Sequence, residues 1–289
     1  MKRILLPLFI LLSLAAYGQS DSAAFAGATW GGKTVSQGIE HKWTHFASGE
    51  LFSSNQYISV IEIKPHSGNR IEILASPVLK ETSLMASEAG AVAAINGSFF
   101  KFNYTHNTED YNSVDYIRKE NRQLAPNTVT GNKRAMHQLG AIAIFNGELY
   151  ILKADELKEW EKYIQAQEVI TTGPILRVDG TDLKLDKSSF YTARHPRTAV
   201  GKRADGTLIL LTADGRSAQA AGLSLTELQK IMKWLGARYA INLDGGGSTT
   251  MYVAGGSDNG VVNHPSDNKL FDNMGQRKVA NAILVHKAK

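Results

Sequence analysis

Residues 242–250, with the sequence NLDGGGSTT, bring together groups able to do chemistry. The apolar run at residues 239–243 predicts a buried strand that delivers Asp244 to its end. The three glycines that follow carry no side chains, so a ligand can approach the backbone, and three hydroxyl residues come next. A carboxylate beside accessible N–H groups suits a ligand that has a reacting centre and an anionic group. A glycine-rich turn without a chemical role is the alternative interpretation.

Short polar motifs also follow other predicted strands. They are Asn96-Gly97-Ser98, Thr172-Gly173-Pro174, the stretch ARHPRTAVG at residues 193–201, and Asp214-Gly215-Arg216. A rigid sheet holds the loop residues at its edges in register, so binding sites favour such positions. We therefore expect these motifs to meet residues 242–250 around one site.

Hydrophobic periodicity and turn signals predict the elements that hold these motifs. Strands are expected at residues 56–64, 70–75, 91–95, 141–146, 148–153, 168–172, 197–202, 207–212, 239–243 and 279–285. The first two strands are predicted to pair as a hairpin, as are the fourth and fifth around Asn146-Gly147. Helices are expected at residues 82–90 and 155–165, and a capping box of Ser224 and Glu227 begins a third that ends near Leu235.

These elements predict an α+β fold, with a mixed, largely antiparallel sheet and a few packed helices in a single domain. Residues 19–50 are polar and contain glycine, so they are predicted to form a lead-in that is partly mobile. Residues 101–140 are polar and poor in periodicity, which is typical of a binding loop, a lid or a disordered segment.

The first 18 residues differ from the rest of the chain. Lys2 and Arg3 precede an apolar stretch, and Ala16 and Gly18 are small residues placed three and one before a cut ahead of Gln19. This pattern predicts a secretory signal peptide, and hence a periplasmic or secreted protein. No later stretch approaches the roughly 18 apolar residues that a spanning helix needs, so no membrane span is predicted.

The charge pattern argues against some partners. The formal net charge is +5, of which Lys2 and Arg3 supply two, and basic residues are interleaved with acidic ones. Nucleic-acid binding therefore has little support, whereas a local basic site for an anionic substrate stays open. The chain has no cysteine, so it contains no disulfide, and an exported protein of this size can rely on its core.

Taken together, the motifs resemble those of the phosphodiester glycosidase family over residues 91–285. The resemblance rests on the order and spacing of Asn96-Gly-Ser-Phe-Phe100, Thr172-Gly-Pro174, Arg197-Thr-Ala-Val-Gly201, Asp214-Gly-Arg216, residues 242–250 and Val279-Ala-Asn-Ala282. Two positions depart from the family pattern: Ser98 stands where glycine is frequent, and Gln276-Arg277-Lys278 stands where Glu-Arg-Pro is common. The resemblance implies a hydrolase that acts on a glycosyl phosphodiester, with its catalytic domain at residues 81–289. The predicted signal peptide at 1–18, and a lead-in with the first hairpin at 19–80, precede this domain.

The implied reaction assigns roles to the carboxylates. Breaking the anomeric C–O bond of a sugar-1-phosphodiester builds positive charge on the sugar ring and negative charge on the departing oxygen. Asp244 is the predicted catalytic carboxylate, either as nucleophile or as base for water. Asp214 is the second candidate, as base or as a clamp on sugar hydroxyls, although Asp214-Gly215 is equally consistent with a hairpin turn.

The implied reaction also needs cationic or N–H donors near the phosphate. Arg197 is the first choice, because its planar guanidinium can hold two oxygens at once, and Arg194 and Arg216 are reserves. Alternatively, Arg197 pairs with one of the two aspartates. His195 either donates to the phosphate, moves a proton or only forms a turn. The remaining predicted substrate-binding residues comprise the amides of Gly245, Gly246, Gly247 and Ser248, the sugar-orienting Asn96, Ser98 and Asn281, and the motif residues Gly97, Thr172, Gly173 and Thr198.

No metal or other cofactor is predicted, although a divalent metal stays open. His41 and His45 are four residues apart but have no HExxH frame. Asp258, Asp267 and Asp272 lie in a polar stretch without a calcium-loop pattern. The GGGST sequence also lacks the lysine and spacing of a P-loop.

The leading hypothesis is an exported hydrolase that cleaves a glycosyl phosphodiester at the anomeric C–O bond. Its expected substrate is a small molecule or a glycan of the envelope or exopolysaccharide type. Two other functions stay open. One is a metal-dependent phosphodiesterase that breaks the P–O bond, with Asp214, Asp244 and a histidine as ligands. The other is a glycan-binding or envelope-assembly protein without catalysis.

Overall fold

The computed structural model describes residues 16–102, 110–128 and 134–288. Residues 1–15 of the predicted signal peptide lie outside this range, and the leader stays a prediction. No helix among the described residues is long and apolar enough to cross a membrane.

Strands dominate the described residues. In chain order the strands are β1 (Gly31–Ser36), β2 (Ile39–Leu51), β3 (Ser54–Ile63), β4 (Arg70–Glu81), β5 (Ala93–Asn96), β6 (Ile117–Lys119), β7 (Arg122–Ala125), β8 (Gly140–Phe145), β9 (Glu148–Lys153), β10 (Glu168–Thr172), β11 (Ile175–Val178), β12 (Thr181–Asp182), β13 (Arg197–Arg203), β14 (Leu208–Ala213), β15 (Ala237–Asn242), β16 (Met251–Val253) and β17 (Lys278–His286). The α-helices are α1 (Ala16–Ala26), α2 (Thr82–Glu88), α3 (Ser189–Thr192) and α4 (Leu225–Trp234).

The strands form three sheets around one shared core. An 8-stranded sheet has the order β1-β2-β3-β14-β13-β15-β11-β12, a 5-stranded sheet the order β7-β6-β10-β8-β9, and a 4-stranded sheet the order β16-β5-β17-β4. All pairings between these strands are antiparallel. Aliphatic side chains from the three sheets, including Ile61, Ile142, Ile241 and Ile283, pack in one buried cluster. The α+β class with a largely antiparallel architecture and few helices is therefore confirmed.

The helices cover outer faces of the sheets. Ser224 and Glu227 form the expected capping box at the start of α4, and the apolar face of this helix packs on the 8-stranded sheet. Leu225 and Ile231 are fully buried there, which explains why this short helix is stable. Helix α2 covers the 4-stranded sheet through Met85 and Ala86.

Local expectations succeeded where the partner of a strand is its neighbour in sequence. Strands β8 and β9 form the expected hairpin around Asn146-Gly147. The hairpin expected from residues 56–64 and 70–75 is wrong, because β3 pairs with β2 and β14 whereas β4 pairs with β17 in another sheet. Both strands exist, but their apolar faces reach the core from different sheets.

Two other expectations need correction. Residues 19–50 form α1, β1 and most of β2 rather than an irregular lead-in, and β2 buries His41 and Thr44 among its inward positions. Residues 155–165 contain only a short 3-10 helix at Trp160–Tyr163 instead of the expected α-helix. Within residues 101–140, the described part contains β6, β7 and a 3-10 turn at Met136–Gln138.

Candidate active site

Asp244 lies where two sheets meet. Strand β15 ends at Asn242, and the Asp244 backbone N–H donates to the Gly97 carbonyl at 3.1 Å. Asn96, at the end of β5, donates from Nδ2 to the Asp244 carbonyl at 2.7 Å and accepts from the Thr198 hydroxyl of β13 at 2.7 Å. These bonds join the 4-stranded and 8-stranded sheets, so the position of Asp244 is fixed by both.

The predicted sugar-orienting residues lie beneath this junction. Asn281 accepts from the Ser98 N–H at 2.8 Å, and the Thr172 hydroxyl donates to the Asn242 carbonyl at 3.1 Å. Asn96, Thr172, Thr198 and Asn281 are fully buried and Ser98 is 2% exposed. Their polar groups are used within the protein, so the geometry argues for support of the site rather than for contact with a substrate.

Gly97 and Gly173 contribute their backbones to the same support. Gly97 donates its N–H to the Asn281 carbonyl at 3.0 Å, and the Gly173 carbonyl accepts from Asn242 Nδ2 at 2.9 Å. A β-carbon on Gly97 would lie 1.9 Å from Asn281 Oδ1, so no larger residue fits. These motifs meet around residues 242–250, as expected, but on the buried side of the loop.

The side chain of Asp244 is partly accessible. Its Oδ1 accepts from the Gly245 N–H at 2.9 Å. Burial raises the pKa of the Asp244 carboxyl to about 6, although the nearby Ser248 hydroxyl, the Gly245 amide and the charges of Arg277 and His137 lower it. A carboxyl with a pKa this close to neutrality can exchange a proton under ordinary conditions.

A second carboxyl with a raised pKa lies near Asp244. Asp115 is fully buried, contacts His137 Nδ1 through a short hydrogen bond, and accepts from the Phe99 N–H at 3.3 Å. Burial raises the pKa of Asp115 to about 7 against the lowering influence of His137, and the charge of Asp244 contributes to the rise. His137 keeps part of its ring exposed, so the pair can pass a proton to the site.

Sequence reasoning missed the Asp115–His137 pair. Both residues lie in the stretch with poor periodicity, where no strand end or motif marks them. The signal that was present is chemical: an aspartate and a histidine within a long polar segment that was expected to form a binding loop.

The glycines allow side chains to crowd the loop. A β-carbon on Gly245 would lie 2.6 Å from the Pro196 carbonyl oxygen, and one on Gly247 would lie 1.9 Å from Asp267 Oδ1. Gly246 has a positive φ of +61°, which disfavours other residues. The loop therefore needs glycine because neighbouring groups approach its backbone.

The predicted cradle of backbone amides is largely occupied by the protein itself. Gly245 N–H donates to Asp244, Gly246 N–H donates to the Pro196 carbonyl at 2.8 Å, and Ser248 N–H donates to the Gly245 carbonyl at 3.2 Å. These amides hold a 3-10 turn at Gly246–Ser248 and are not open to an anion.

Arg197, the first choice for the phosphate, is buried at 2% exposure. Its Nε donates to the Leu223 carbonyl at 2.9 Å, and its Nη2 donates to the carbonyls of Phe190 and Ala193 at 2.8 and 3.0 Å. Burial and the charge of Arg216 lower the pKa of Arg197 to about 10. This geometry favours a role in positioning the adjacent backbone, and a contact of Arg197 with the phosphate stays an untested prediction.

Arg194 also has a partner within the protein. Its guanidinium forms a bidentate ion pair with Glu227 of the α4 capping box, with distances of 2.6–3.1 Å, and donates to the Phe52 carbonyl at 2.7 Å. The reserve role proposed for Arg194 at the phosphate is therefore not supported, because the helix start occupies its charge.

Two guanidinium groups do face the loop. Arg216 is exposed, and its Nη2 lies 3.0 Å from the position of a β-carbon on Gly246. Arg277 Nη2 lies 2.3 Å from the corresponding position on Gly247. Arg216 was a reserve candidate, whereas Arg277 was noticed only as part of a departure from the family triplet. Together they flank the loop next to Asp244.

His195 lies within electrostatic range of Arg197 and Arg216. Its backbone pairs with Leu223, and its ring is half-buried. Burial and the charges of Arg197 and Arg216 lower the pKa of His195, so the ring is neutral at neutral pH. It remains a candidate donor to an anion but carries no positive charge of its own.

Asp214 belongs to a separate buried cluster. Its Oδ1 accepts from Asn263 Nδ2 at 2.8 Å, and its Oδ2 accepts from the His264 N–H at 3.0 Å and from His264 Nδ1 at 2.8 Å. With 1% exposure it cannot reach a sugar. Burial and the Asp214 charge raise the pKa of Tyr57 to about 12. These contacts favour the structural alternative for Asp214, and its catalytic role stays an untested prediction.

Aromatic rings border the Asp115–His137 pair. The Phe99 ring lies 5.2 Å from the His137 ring and 6.2 Å from Phe190, measured between centroids. Phe190 rests on the Arg197 guanidinium at 5.2 Å. Both phenylalanines are only partly buried, so they present apolar surface beside the two carboxyl groups.

The described residues contain no group of three or more His, Cys, Asp or Glu side chains arranged to hold a metal ion. The site consists instead of two carboxyl groups with raised pKa values, a histidine and two guanidinium groups. Such a set is typical of a hydrolase that acts on an anionic substrate.

Comparison with known proteins gives the family. The profile of the phosphodiester glycosidase family matches residues 89–286, and the chain belongs to this family. A segment of 101 residues is 41% identical to mouse N-acetylglucosamine-1-phosphodiester alpha-N-acetylglucosaminidase, covering 34% of this chain and 18% of the mouse protein. The human enzyme of the same name is 38% identical over 101 residues. The chain thus matches less than a fifth of the length of these curated relatives, which are enzymes.

Solved structures show the same fold. The catalytic domain of the zebrafish enzyme of that name, auto-inhibited by its pro-peptide, superposes with a TM-score of 0.64 at 19% identity, covering 92% of this chain and 90% of the other. A Synechocystis protein gives a TM-score of 0.59 at 16% identity, covering 89% of this chain and 63% of the other.

Proposed function

We propose that the protein hydrolyses a glycosyl phosphodiester at the anomeric C–O bond. The observation that supports this most directly is that Asp244 lies near both the Asp115–His137 pair and Arg277, while Arg216 lies against Gly246 of the loop that follows Asp244. A sugar-1-phosphodiester presents an electrophilic carbon next to a monoanionic phosphate. The carboxyl side of the site suits the carbon, and the guanidinium side suits the phosphate.

In the proposed reaction the anomeric C–O bond breaks and its electron pair leaves with the phosphate oxygen. Asp244 stabilises the positive charge that develops on the sugar ring, and Arg216 and Arg277 stabilise the negative charge on the leaving group. Water supplies the new bond to the anomeric carbon, and its proton passes to the Asp115–His137 pair. The products are a free sugar and a phosphomonoester.

The sugar ring would lie against Phe99 and Phe190. Their exposed apolar faces stand beside the carboxyl groups, where an apolar face of a pyranose can pack. The names of the curated relatives point to N-acetylglucosamine as the first sugar to examine. The charged and apolar N-terminal residues 2–18 support export, so a glycan of the envelope or exopolysaccharide type is the proposed natural substrate.

The reaction is tested with water labelled with ¹⁸O and N-acetylglucosamine-1-phosphodiesters. Label in the released sugar supports C–O cleavage. Label in the phosphomonoester would instead establish P–O cleavage and overturn the proposed reaction.

Asp244→Asn supplies the matching variant, because it keeps the shape of the side chain and removes its charge. We expect kcat to fall by at least about a thousandfold while the fold survives. Full activity in folded Asp244→Asn protein would remove Asp244 from the reaction. Asp258→Asn, an exposed change in another loop, serves as the control and should leave kcat unchanged.

A further inference from the structure

The guanidinium of Arg277 is shared with a carboxylate at the site. Asp267 Oδ2 accepts from Arg277 Nε, and Asp267 Oδ1 accepts from Arg277 Nη2, both at 2.7 Å. Arg277 also lies over the ring of Phe102, 5.1 Å from its centroid. Bidentate pairing of this kind fixes the orientation of the guanidinium and neutralises its charge.

The ion pair between Arg277 and Asp267 packs against Gly247 of the glycine loop. A β-carbon on Gly247 would come within 1.9 Å of Asp267 Oδ1 and 2.3 Å of Arg277 Nη2. The positive charge of Arg277 lowers the pKa of the Asp244 carboxyl, so the two groups are within electrostatic range of each other. An anion bound beside Asp244 and Arg277 therefore also meets the negative charge of Asp267, whose side chain is 34% exposed.

The second guanidinium differs in this respect. Arg216 lies over Gly246, and among the described residues it has no carboxylate partner. Within the part of the chain that the structure describes, the phosphate side of the site thus contains two guanidinium groups and one carboxylate, which together carry about one unit of positive charge. A phosphodiester carries one negative charge, whereas a phosphomonoester carries nearly two at neutral pH, because its second pKa is about 6.

From the position of this carboxylate we infer that Asp267 weakens the binding of phosphomonoester dianions more than the binding of phosphodiester monoanions, and so shifts the selectivity of the site toward phosphodiesters. The inference rests on the proposed function, because it assumes that the phosphate lies between Arg216 and Arg277. A dianion is repelled by Asp267 about twice as strongly as a monoanion at the same position. The same repulsion would help to expel the phosphomonoester product.

The selectivity can be measured without turnover. Methyl phosphate and dimethyl phosphate differ by one charge, and neither contains a sugar that the protein could release. Binding of both is followed by ³¹P NMR titration at pH about 7.5 for the wild-type protein and for Asp267→Asn. We expect the variant to bind methyl phosphate about tenfold more tightly and dimethyl phosphate only two- to threefold more tightly.

Three further variants separate charge from loop packing. Asp267→Ser also removes the charge and should shift the preference in the same direction, so the test survives if Asp267→Asn does not fold. Asp267→Glu keeps the charge and should keep the wild-type preference. Asp258→Asn removes an exposed carboxylate elsewhere in the chain and should change neither affinity.

Equal shifts for the two phosphates, or none, would overturn the inference, and so would a failure of both to bind the wild-type protein. The outcome is distinguishable from that of the proposed function. If the preference shifts as expected but no glycosyl phosphodiester is hydrolysed, the anion selectivity stands and the proposed reaction fails. If hydrolysis occurs but the preference is unchanged, only the role of Asp267 fails.

Discussion

The protein contains two buried aspartates that each contact a histidine, and the surroundings of the two pairs differ. Asp115 and Asp214 are both buried, and each contacts Nδ1 of a histidine. Asp214 accepts three hydrogen bonds, including one from Asn263, and its histidine is stacked on Phe271 at 3.7 Å. Among the described residues, the Asp115 carboxyl accepts from His137 and the Phe99 amide alone.

The difference indicates which pair can do chemistry. A carboxylate with several fixed donors, whose histidine is stacked on an aromatic ring, is stabilised in one state, and it anchors the loop that carries Asn263 and His264. A carboxyl with few donors, buried beside another carboxyl, has a raised pKa and can change its protonation state. Burial of an Asp–His pair is therefore insufficient to identify a catalytic pair. The number of hydrogen bonds that the carboxyl accepts distinguishes the two pairs.

The largest expected effect is on catalysis at the first pair. Asp115→Asn keeps the size of the side chain but removes the acid–base group behind His137. We expect kcat to fall by about a hundredfold to ten-thousandfold and one limb of the pH profile of kcat/KM to disappear. Steady-state kinetics between pH 4 and 9 measure both. An unchanged kcat would show that this pair is structural and would break the comparison.

The next effect is on stability at the second pair. Asp214→Asn turns one acceptor into an amide donor that faces Asn263 or His264, leaving buried donors without acceptors. We expect the free energy of unfolding to decrease by about 3 kcal/mol, while kcat per folded molecule stays close to that of the wild type. Urea denaturation and active-site-normalised kinetics test this. Loss of activity in protein that remains fully folded would return Asp214 to the catalytic candidates.

The smallest effect concerns the dependence of stability on pH. The folded-state pKa of Asp244 is raised to about 6, so the folded protein binds more protons than the unfolded chain between about pH 4 and 6. Stability from this group is therefore full at low pH and is lost as the pH rises through 6. Asp244→Asn should unfold with a free energy about 1 kcal/mol higher than the wild type at pH 8, and with no advantage near pH 4.

Thermal denaturation at the two pH values measures this effect. The Asp214→Asn variant offers the contrast, because it should be less stable than the wild type at pH 8. A lower stability of Asp244→Asn at pH 8 would mean that the Asp244 carboxylate contributes to folding, and that the two regions do not differ in the proposed way.

The sequence identified the parts of the site that are continuous in the chain. The apolar run before Asp244 and the glycines after it defined β15 and its loop, because both follow local rules of burial and backbone freedom. Such local rules do not predict which residues from distant parts of the chain come together in the fold. Asp115 and His137 come from a segment without periodicity, and only the tertiary fold brings them to Asp244.

The errors have a common physical origin. Arg197 was assigned to the phosphate because its planar guanidinium can hold two oxygens at once, but in the interior it donates to the carbonyls of Phe190, Ala193 and Leu223. Strands β3 and β4 were expected to pair because they are adjacent, but the core is built from three sheets that separate sequence neighbours. Buried acceptors and sheet membership both depend on residues far along the chain.

The hydrogen bonds of Asn96 have a consequence for refolding. Its amide joins Asp244 to Thr198, so the Asp244 carboxylate reaches its place only after the 4-stranded and 8-stranded sheets have docked. Regain of enzymatic activity after dilution from denaturant would then report docking of the sheets, whereas regain of circular dichroism reports the formation of each sheet. A lag between the two signals would measure how long the sheets take to dock after each of them has formed.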